Sequence, residues 1–525
     1  MGFWSFYFFA KLLLYYRGDI GFHVLYNLGF AALTAWPLQR RWLRVTRQVL
    51  AVPLGISLLY YDSFLPPIRR VLATAGDVMT FSGAYLLELA ARFFNPHVAL
   101  VLAALLLAWL LLAHRLRMAT FAIIGILTVP AVGALQQLRV AAPAVAASGA
   151  PGAAAAAGAS VALTDASLSE RLQAFYASEA PRRVRFTPPP ADSAAFDVLI
   201  VHVCSLAWDD LQYVGAQDHA LLKRFDLLLR NFNTAASYSG PAAIRVLRSA
   251  CGQTSHAALY KPDPPECHLL ADLAAAGFEP HWTMNHDGHF GDFVGDVRAN
   301  LGVAARQDVD PGARVAMHAF DGSPIYDDYD VLSRWWQKRQ ALPAARVALF
   351  YNTVTLHDGN RIDGYRPANS HDSYQRRVTM FLDDVGRFLD LVAQSGRRAV
   401  VVMVPEHGAA VRGDRMQISG LREIPTPAIT LAPVGVKLIG PGYAAQPQRA
   451  VETPTALLAV AQLLENLIAD APFAGGDALA AAAANLPQTD AVSENEQTVL
   501  MRVGSDYQMR TPDGAWTRYD TRSDQ

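Results

Sequence analysis

The sequence predicts an α/β domain built on a doubly wound parallel sheet, carried behind an α-helical, multi-span membrane segment. Three observations lead there. Nearly every long apolar run in the 525 residues lies before Gln136. Beyond it, three uninterrupted apolar segments (196–203, 344–353 and 398–404) alternate with stretches of helical periodicity. Strands of that kind are buried on both faces by flanking helices. Each is followed at once by polar residues, and in such sheets ligands bind beyond the carboxyl ends of the strands.

Residues 3–16 are aromatic and apolar with Lys11 inside them, too short to span and rich in residues of the membrane interface. They lack a small-residue cleavage site, so they do not read as a removable signal peptide. Residues 22–38, 49–61, 98–113 and 119–135 are candidate spans; the second falls short of about 20 residues and needs its flanks. Residues 78–95 carry Glu88 and Arg92 at i,i+4 and form either an interfacial helix or a fifth span. Basic residues crowd two connections, Arg40 to Arg47 and Arg115 to Arg117, and basic loops stay in the cytoplasm. Placing both there requires 78–95 not to cross. Either count puts everything after Leu135 outside. The membrane domain is thus expected over 1–138.

Residues 139–167 are almost wholly Ala, Gly, Pro, Ser and Val; they cannot build a core and read as a flexible linker. The domain outside the membrane, over 168–525, is long enough for one large core. Its 45 basic and 46 acidic residues, counted over the whole chain, nearly cancel and give no case for a nucleic-acid partner. Helices are expected over 219–230, 242–250, 268–275, 331–340 and 373–395, and a hairpin in the tail around Pro512-Asp513-Gly514.

The polar residues after the strands carry the chemistry. Cys204 follows the first strand, His357 the second, and Glu406-His407 the third. Cys251 and Cys267 lie 16 positions apart across a proline-rich loop. We pair them as a disulfide of about 3 kcal/mol, in keeping with an oxidising compartment. Cys204 is left over, as a small buried residue or as a thiolate held by metal. Glu406-His407 is not part of an H-E-x-x-H helix. Thiolate, carboxylate and imidazole together suit zinc, and three ligands leave one position open for catalysis.

Ser239 opens the remaining motif. Tyr238-Ser239-Gly240-Pro241 precedes an amphipathic run, and proline suits the first helical position, which puts Ser239 at or near the N-cap. Its hydroxyl is then either a cap or a nucleophile whose developing charge the helix end stabilises. Ser237-Tyr238-Ser239-Gly240 is not the G-x-S-x-G elbow of α/β hydrolases.

These segments, together with 200–209, 250–256, 356–360, 405–409, 413–422 and the opening 22–30, resemble the bacterial cellulose phosphoethanolamine transferases, the G subunits of cellulose synthesis machinery. The resemblance implies an alkaline-phosphatase/sulfatase-like fold with one zinc per chain. It implies Cys204, Glu406 and His407 as ligands, Ser239 as the nucleophile at the metal, and His357, Tyr238 and Arg422 lining the site, His357 as the acid to the leaving oxygen and the base to the acceptor. The implied reaction moves phosphoethanolamine from phosphatidylethanolamine to glucose hydroxyls of nascent cellulose, beside the other synthase subunits. Related lipid A transferases carry Thr in place of Ser239 and a carboxylate in place of Cys204, so the match is to the cellulose branch. A phosphodiesterase or sulfatase-type hydrolase, and a non-enzymatic scaffold of a synthase, are the competing readings.

Overall fold

A computed structural model describes residues 2–63, 65, 68, 76, 83–92, 96–141, 163–307, 312–444, 446–475 and 477–519. Among them, the N-terminal part forms the helices α1 (Trp4–Arg17), α2 (Val24–Ala35), α3 (Arg41–Asp62), α4 (Gly83–Arg92), α5 (Pro96–Leu112) and α6 (Met118–Ala141). Phe8, Phe30, Ala31, Ala51, Ala122 and Ile126 make a common core of α1, α2, α3 and α6. Lys11 is buried within it, hydrogen-bonded to Asn27 at 2.8 Å and paired with Asp62.

The four candidate spans fall on α2, α3, α5 and α6. Among the described residues no single helix is long and apolar enough to cross a membrane; α4 and α5, bent by 56°, pass that test together. Glu88 and Arg92 form the expected i,i+4 pair at 2.7 Å on α4. Residues 78–82 and 93–95 of that ambiguous segment, and 142–162 of the linker, lie outside the described residues.

Helix α7 (Asp165–Glu179) takes the last residues assigned to the linker, because Thr164 and Ser167 cap its first turn reciprocally.

The central sheet has eight strands: β1 (Asp197–Val203), β2 (Leu227–Asn233), β3 (Glu279–Met284), β4 (Arg306–Gln307), β5 (Val347–Thr353), β6 (Ala399–Pro405), β7 (Leu431–Ile439) and β8 (Arg449–Val451). Their order is β8-β2-β7-β6-β1-β5-β3-β4. The three strands expected from sequence are the central neighbours β6, β1 and β5, in parallel register. Alternate residues of β1 serve opposite cores. Val198 and Ile200 meet α8 (Ser239–Leu247), α9 (Leu269–Ala275), α10 (Phe293–Asn300) and, further along the chain, α13 (Leu457–Ala469). Leu199, Val201 and Val203 meet α11 (Asp328–Ala341) and α12 (Ser370–Gln394). This is the doubly wound arrangement.

Two expectations are corrected. The sheet is mixed, since β7 runs antiparallel to both β6 and β2. A parallel return needs a crossover to the opposite end of the sheet. The chain after β6 instead makes its 406–430 excursion at the carboxyl edge and re-enters from there. The helix expected over 219–230 stops at Arg224, and residues 227–233 are strand β2. The consecutive apolar run Leu227-Leu228-Leu229 is buried between β7 and β8, where a helix would have no room.

The tail holds more than the expected hairpin: β9 (Val492–Glu494), β10 (Val499–Val503), β11 (Asp506–Arg510) and β12 (Trp516–Tyr519) form a four-stranded antiparallel sheet. It packs on α7 through Leu168, Leu172, Phe175, Met501 and Trp516. Cys251 and Cys267 are joined as a disulfide.

Candidate metal centre and active site

Three loops leave the carboxyl ends of β1, β2 and β6 and bring distant residues together. Cys204 follows β1, Ser239 follows β2, and Glu406 and His407 follow β6. One ligand atom each from Cys204, Glu406 and His407 lies within 4.8 Å of the other two, and all three residues are buried. The backbone is forced to deliver them. Ser205, Ala235 and Ala410, beside Cys204, Ser239 and His407 in these loops, have φ of 65°, 60° and 54°. Left-handed conformations of that kind cost about 1–3 kcal/mol each without glycine and gather at functional sites.

Ser239 is the first residue of α8, not its cap. Tyr238 holds the N-cap position and makes no side-chain cap, and Pro241 falls at the third helical position. Proline is tolerated there because none of the first four N–H groups has an intrahelical partner. The hydroxyl is therefore free for the site: Ser239 Oγ is 3.4 Å from Cys204 Sγ and 3.4 Å from His407 Nε2. Ser239 is half-buried while the three ligand candidates are buried, so the hydroxyl is the member of the group that solvent or substrate reaches.

The hydrogen bonds fix which atoms face inward. His407 Nδ1 donates to the carbonyl of Gly408 at 2.8 Å, and a carbonyl only accepts, so Nε2 carries the lone pair toward Ser239 and Cys204. Asn352 Nδ2 donates to Glu406 Oε1 at 2.6 Å. Glu406 Oε2 is buried with no hydrogen-bond partner among the described residues, 3.7 Å from His407 Nε2. Burial, and then the neighbouring Glu406, push the Cys204 thiol up to about 12. Burial likewise raises the Glu406 carboxyl to about 7. Two acids so placed lose their protons together only opposite a cation. The orphaned oxygen, the inward Nε2 and the thiol fit a zinc ion.

Arg422 is buried, and its Nη1 donates to Ser205 Oγ at 3.2 Å and lies 3.4 Å from His407 Nδ1. Its guanidinium stands 5.5 Å over the ring of Tyr238, whose hydroxyl donates to Glu423 at 2.6 Å. Among the described residues Arg422 makes no ion pair, and its Nε is buried without a partner. A buried guanidinium without a carboxylate suits an anionic group. His357, half-buried beside Phe320, donates from Nδ1 to the Asp358 carbonyl at 2.7 Å, which leaves Nε2 as its basic atom. Burial and the charge of Arg422 push His357 down to about 4. It is a neutral base at pH 7.

The structure thus brings together Cys204, Ser239, Glu406, His407, Arg422 and Tyr238, with His357 near enough to feel the charge of Arg422. It adds a supporting layer that the sequence reading passed over. Asn352, the last residue but one of the apolar strand β5, also donates to His202 Nδ1 at 3.0 Å, and its Oδ1 accepts from His286 Nε2 at 2.8 Å. Asp210 accepts from the backbone N–H groups of Ala409 and Val411 at 2.6 and 3.0 Å and holds the turn after His407. A polar residue inside a buried strand, as at Asn352 and His202, is the signal that marks them.

The family comparisons agree along the whole chain. The cellulose biosynthesis protein BcsG N-terminal domain matches residues 4–131 and the BcsG C-terminal domain matches residues 152–516. The chain is 37% identical to cellulose biosynthesis protein BcsG of Escherichia coli K12 over 545 aligned positions, covering 98% of this chain and 96% of that protein. The Salmonella typhimurium LT2 protein of the same name is 37% identical over 540 positions, with the same coverage. Among solved structures, a protein in the alkaline phosphatase superfamily from Vibrio parahaemolyticus has a TM-score of 0.48 at 13% identity, covering 67% of this chain and 88% of its own. The periplasmic domain of EptC from Escherichia coli scores 0.42 at 13% identity, covering 64% and 97%. Those two likenesses carry no chemistry. The family matches suffice by their extent: the chain belongs to the family of cellulose biosynthesis protein BcsG.

Proposed function

We propose that the chain is a zinc-dependent phosphoethanolamine transferase that moves phosphoethanolamine from phosphatidylethanolamine to glucose hydroxyls of nascent cellulose. The observation that carries this reading is the position of Ser239 Oγ, 3.4 Å from both Cys204 and His407 at the start of α8. Cys204, Glu406 and His407 would hold one zinc ion, which when bound lowers the pKa of a neighbouring hydroxyl and balances phosphate charge. The family supplies the acceptor class, since its members are named for cellulose biosynthesis. The lipid donor follows from the resemblance and from the apolar N-terminal helices. We place these in the inner membrane as a multi-pass domain, with residues 168–525 in the periplasm beside the synthase subunits.

The chain's own residues then divide the work. Ser239 Oγ attacks phosphorus in line; its O–P bond forms while the bond to the diacylglycerol oxygen breaks. That oxygen leaves with the proton that Ser239 gives up. The amide end of α8 and Arg422 face the phosphate charge. A glucose hydroxyl, relieved of its proton by the neutral Nε2 of His357, attacks the Ser239 ester, and Ser239 regains a proton as it leaves. Tyr238, stacked under Arg422, orients the guanidinium.

Incubation with phosphatidylethanolamine and no acceptor should add one phosphoethanolamine mass to the peptide containing Ser239. Ser239→Ala should carry no adduct and modify no cellulose. Full modification by Ser239→Ala would end the covalent mechanism, and release of free phosphoethanolamine in preference to transfer would make the enzyme a hydrolase.

A further inference from the structure

Helix α4 belongs to the N-terminal part in sequence, yet its polar face lies on the catalytic domain. Arg92 forms a two-pronged pair with Asp358: Nη1 to Oδ2 at 2.5 Å and Nη2 to Oδ1 at 3.0 Å. Arg92 Nη1 also reaches the carbonyl of Ser419 at 3.4 Å. One turn back, Glu88 pairs with Arg361 and accepts from Ser370 Oγ at 3.2 Å. A further turn's edge brings Tyr85, only 8% exposed, to stack on Phe320 at 6.0 Å. Phe320 in turn lies 5.5 Å from the ring of His357.

The catalytic domain is cut to receive this helix. Gly359 has φ of 86°, and a Cβ there would come within 2.9 Å of the Tyr85 ring. Gly420 has φ of 82°, and a Cβ there would come within 2.6 Å of Arg92 Nη1. Both positions therefore need glycine twice over, for the backbone and for the approach of α4. Burial alone would raise the Asp358 carboxyl, but the hydrogen bond and charge of Arg92 hold it at about 2. From the inner side the same loop is held by Arg377, whose Nη1 donates to the carbonyls of His357 at 2.6 Å and Thr355 at 3.2 Å. The loop carrying His357 is thus gripped from within by the catalytic domain and from without by α4.

We propose that α4 completes the active site: the Arg92–Asp358 pair, backed by Glu88–Arg361 and Tyr85–Phe320, is a clamp that positions the His357 loop for transfer. Arg92 acts through Asp358 and is a positioning residue. The N-terminal part is then more than an anchor, because the loop bearing the proposed base is set by a helix that enters a span-like segment four residues later, at Pro96. This inference rests on the role proposed above for His357.

The test uses the full chain in nanodiscs containing phosphatidylethanolamine, with Arg92→Ala, Arg92→Lys and Tyr85→Ala. Three quantities are read: amide hydrogen exchange over 354–364, kcat and KM for a cello-oligosaccharide acceptor, and bound zinc. Arg92→Ala should speed exchange of those amides by at least about tenfold. It should lower kcat by about 10- to 100-fold, as displaced catalytic groups do, with KM and zinc content unchanged. Arg92→Lys, which keeps the charge without the fork, should recover part of both losses. Tyr85→Ala should follow Arg92→Ala. Wild-type exchange in Arg92→Ala, or faster exchange with wild-type kcat, overturns the clamp. A wild-type chain that never labels Ser239 fails the transferase reading instead, and exchange over 354–364 still decides whether α4 holds the loop.

Discussion

Asn352 holds Glu406 by one oxygen, donating to Oε1 at 2.6 Å, and leaves Oε2 without a partner among the described residues in a buried site. That asymmetry sets the carboxylate's rotamer and aims the free oxygen at the space shared with Cys204 and His407. Outer residues that orient ligands are worth about 10- to 100-fold in metal affinity. Asn352→Leu should therefore weaken zinc binding by that factor in competition with a chelator, with the chain still folded. Unchanged zinc affinity would show that Glu406 is either not a ligand or not steered by Asn352.

The ligands themselves should behave differently from the hydroxyl beside them. Cys204→Ala or His407→Ala should bring zinc from close to one per chain to well below it, since the remaining pair lacks a third strong donor. Ser239→Ala should keep its zinc. Metal analysis of the three purified variants gives the comparison. A loss of zinc in Ser239→Ala as complete as in Cys204→Ala would make Ser239 a structural ligand first.

The parts of this site that were legible from strand pattern share one property: they follow apolar strands that are buried on both faces. Cys204, His357, Glu406 and His407 could be placed at one sheet edge because 196–203, 344–353 and 398–404 read as strands unaided. Strands β2, β3 and β7 did not. Leu227–Asn233 follows a short helical turn directly. Glu279–Met284 carries Pro280 and His281 among its apolar residues. The local pattern at Leu431–Ile439 says nothing of the antiparallel return, which the 406–430 excursion imposes. Asn352 and Asp210 were passed over for another reason, since their roles exist only through partners more than 50 residues away. The seat of α4 at Gly359 and Gly420 likewise depends on contacts some 270 and 330 positions distant in sequence.

The disulfide gives a prediction independent of catalysis. Cys251–Cys267 closes a 16-residue separation beside the C-terminal end of α8, the helix that begins with Ser239. Cross-linking a loop of that length restricts the unfolded chain by about 3 kcal/mol. Cys251→Ser with Cys267→Ser should lower stability by roughly 2–4 kcal/mol in urea unfolding, with the midpoint shifted and the slope nearly kept. Zinc should remain bound in the folded protein. A double variant as stable as the parent would mean that strain in the native loop cancels the entropic gain.

His357 carries the pH dependence. Burial and the Arg422 charge keep its imidazole neutral down to about pH 4, against about 6.5 for a free histidine. The sign follows directly. Between those two values the unfolded chain binds a proton that the folded chain refuses, so folding stability contributed at this position falls as pH drops from about 6.5 toward 4. Above 6.5 the position is indifferent to pH. For transfer, the base is already neutral across pH 5–8, so kcat/KM should show no limb near 6.5 arising from this residue. His357→Gln removes the proton acceptor but keeps a polar side chain of similar reach. It should lower kcat by about 10²–10⁴, the usual worth of general base catalysis, while zinc and Ser239 labelling by the lipid donor persist. The discriminating measurement is the rate at which pre-labelled Ser239 discharges to a cello-oligosaccharide between pH 4 and 8. If discharge by His357→Gln equals that of the parent at every pH, the base for the glucose hydroxyl is another group and His357 only lines the site.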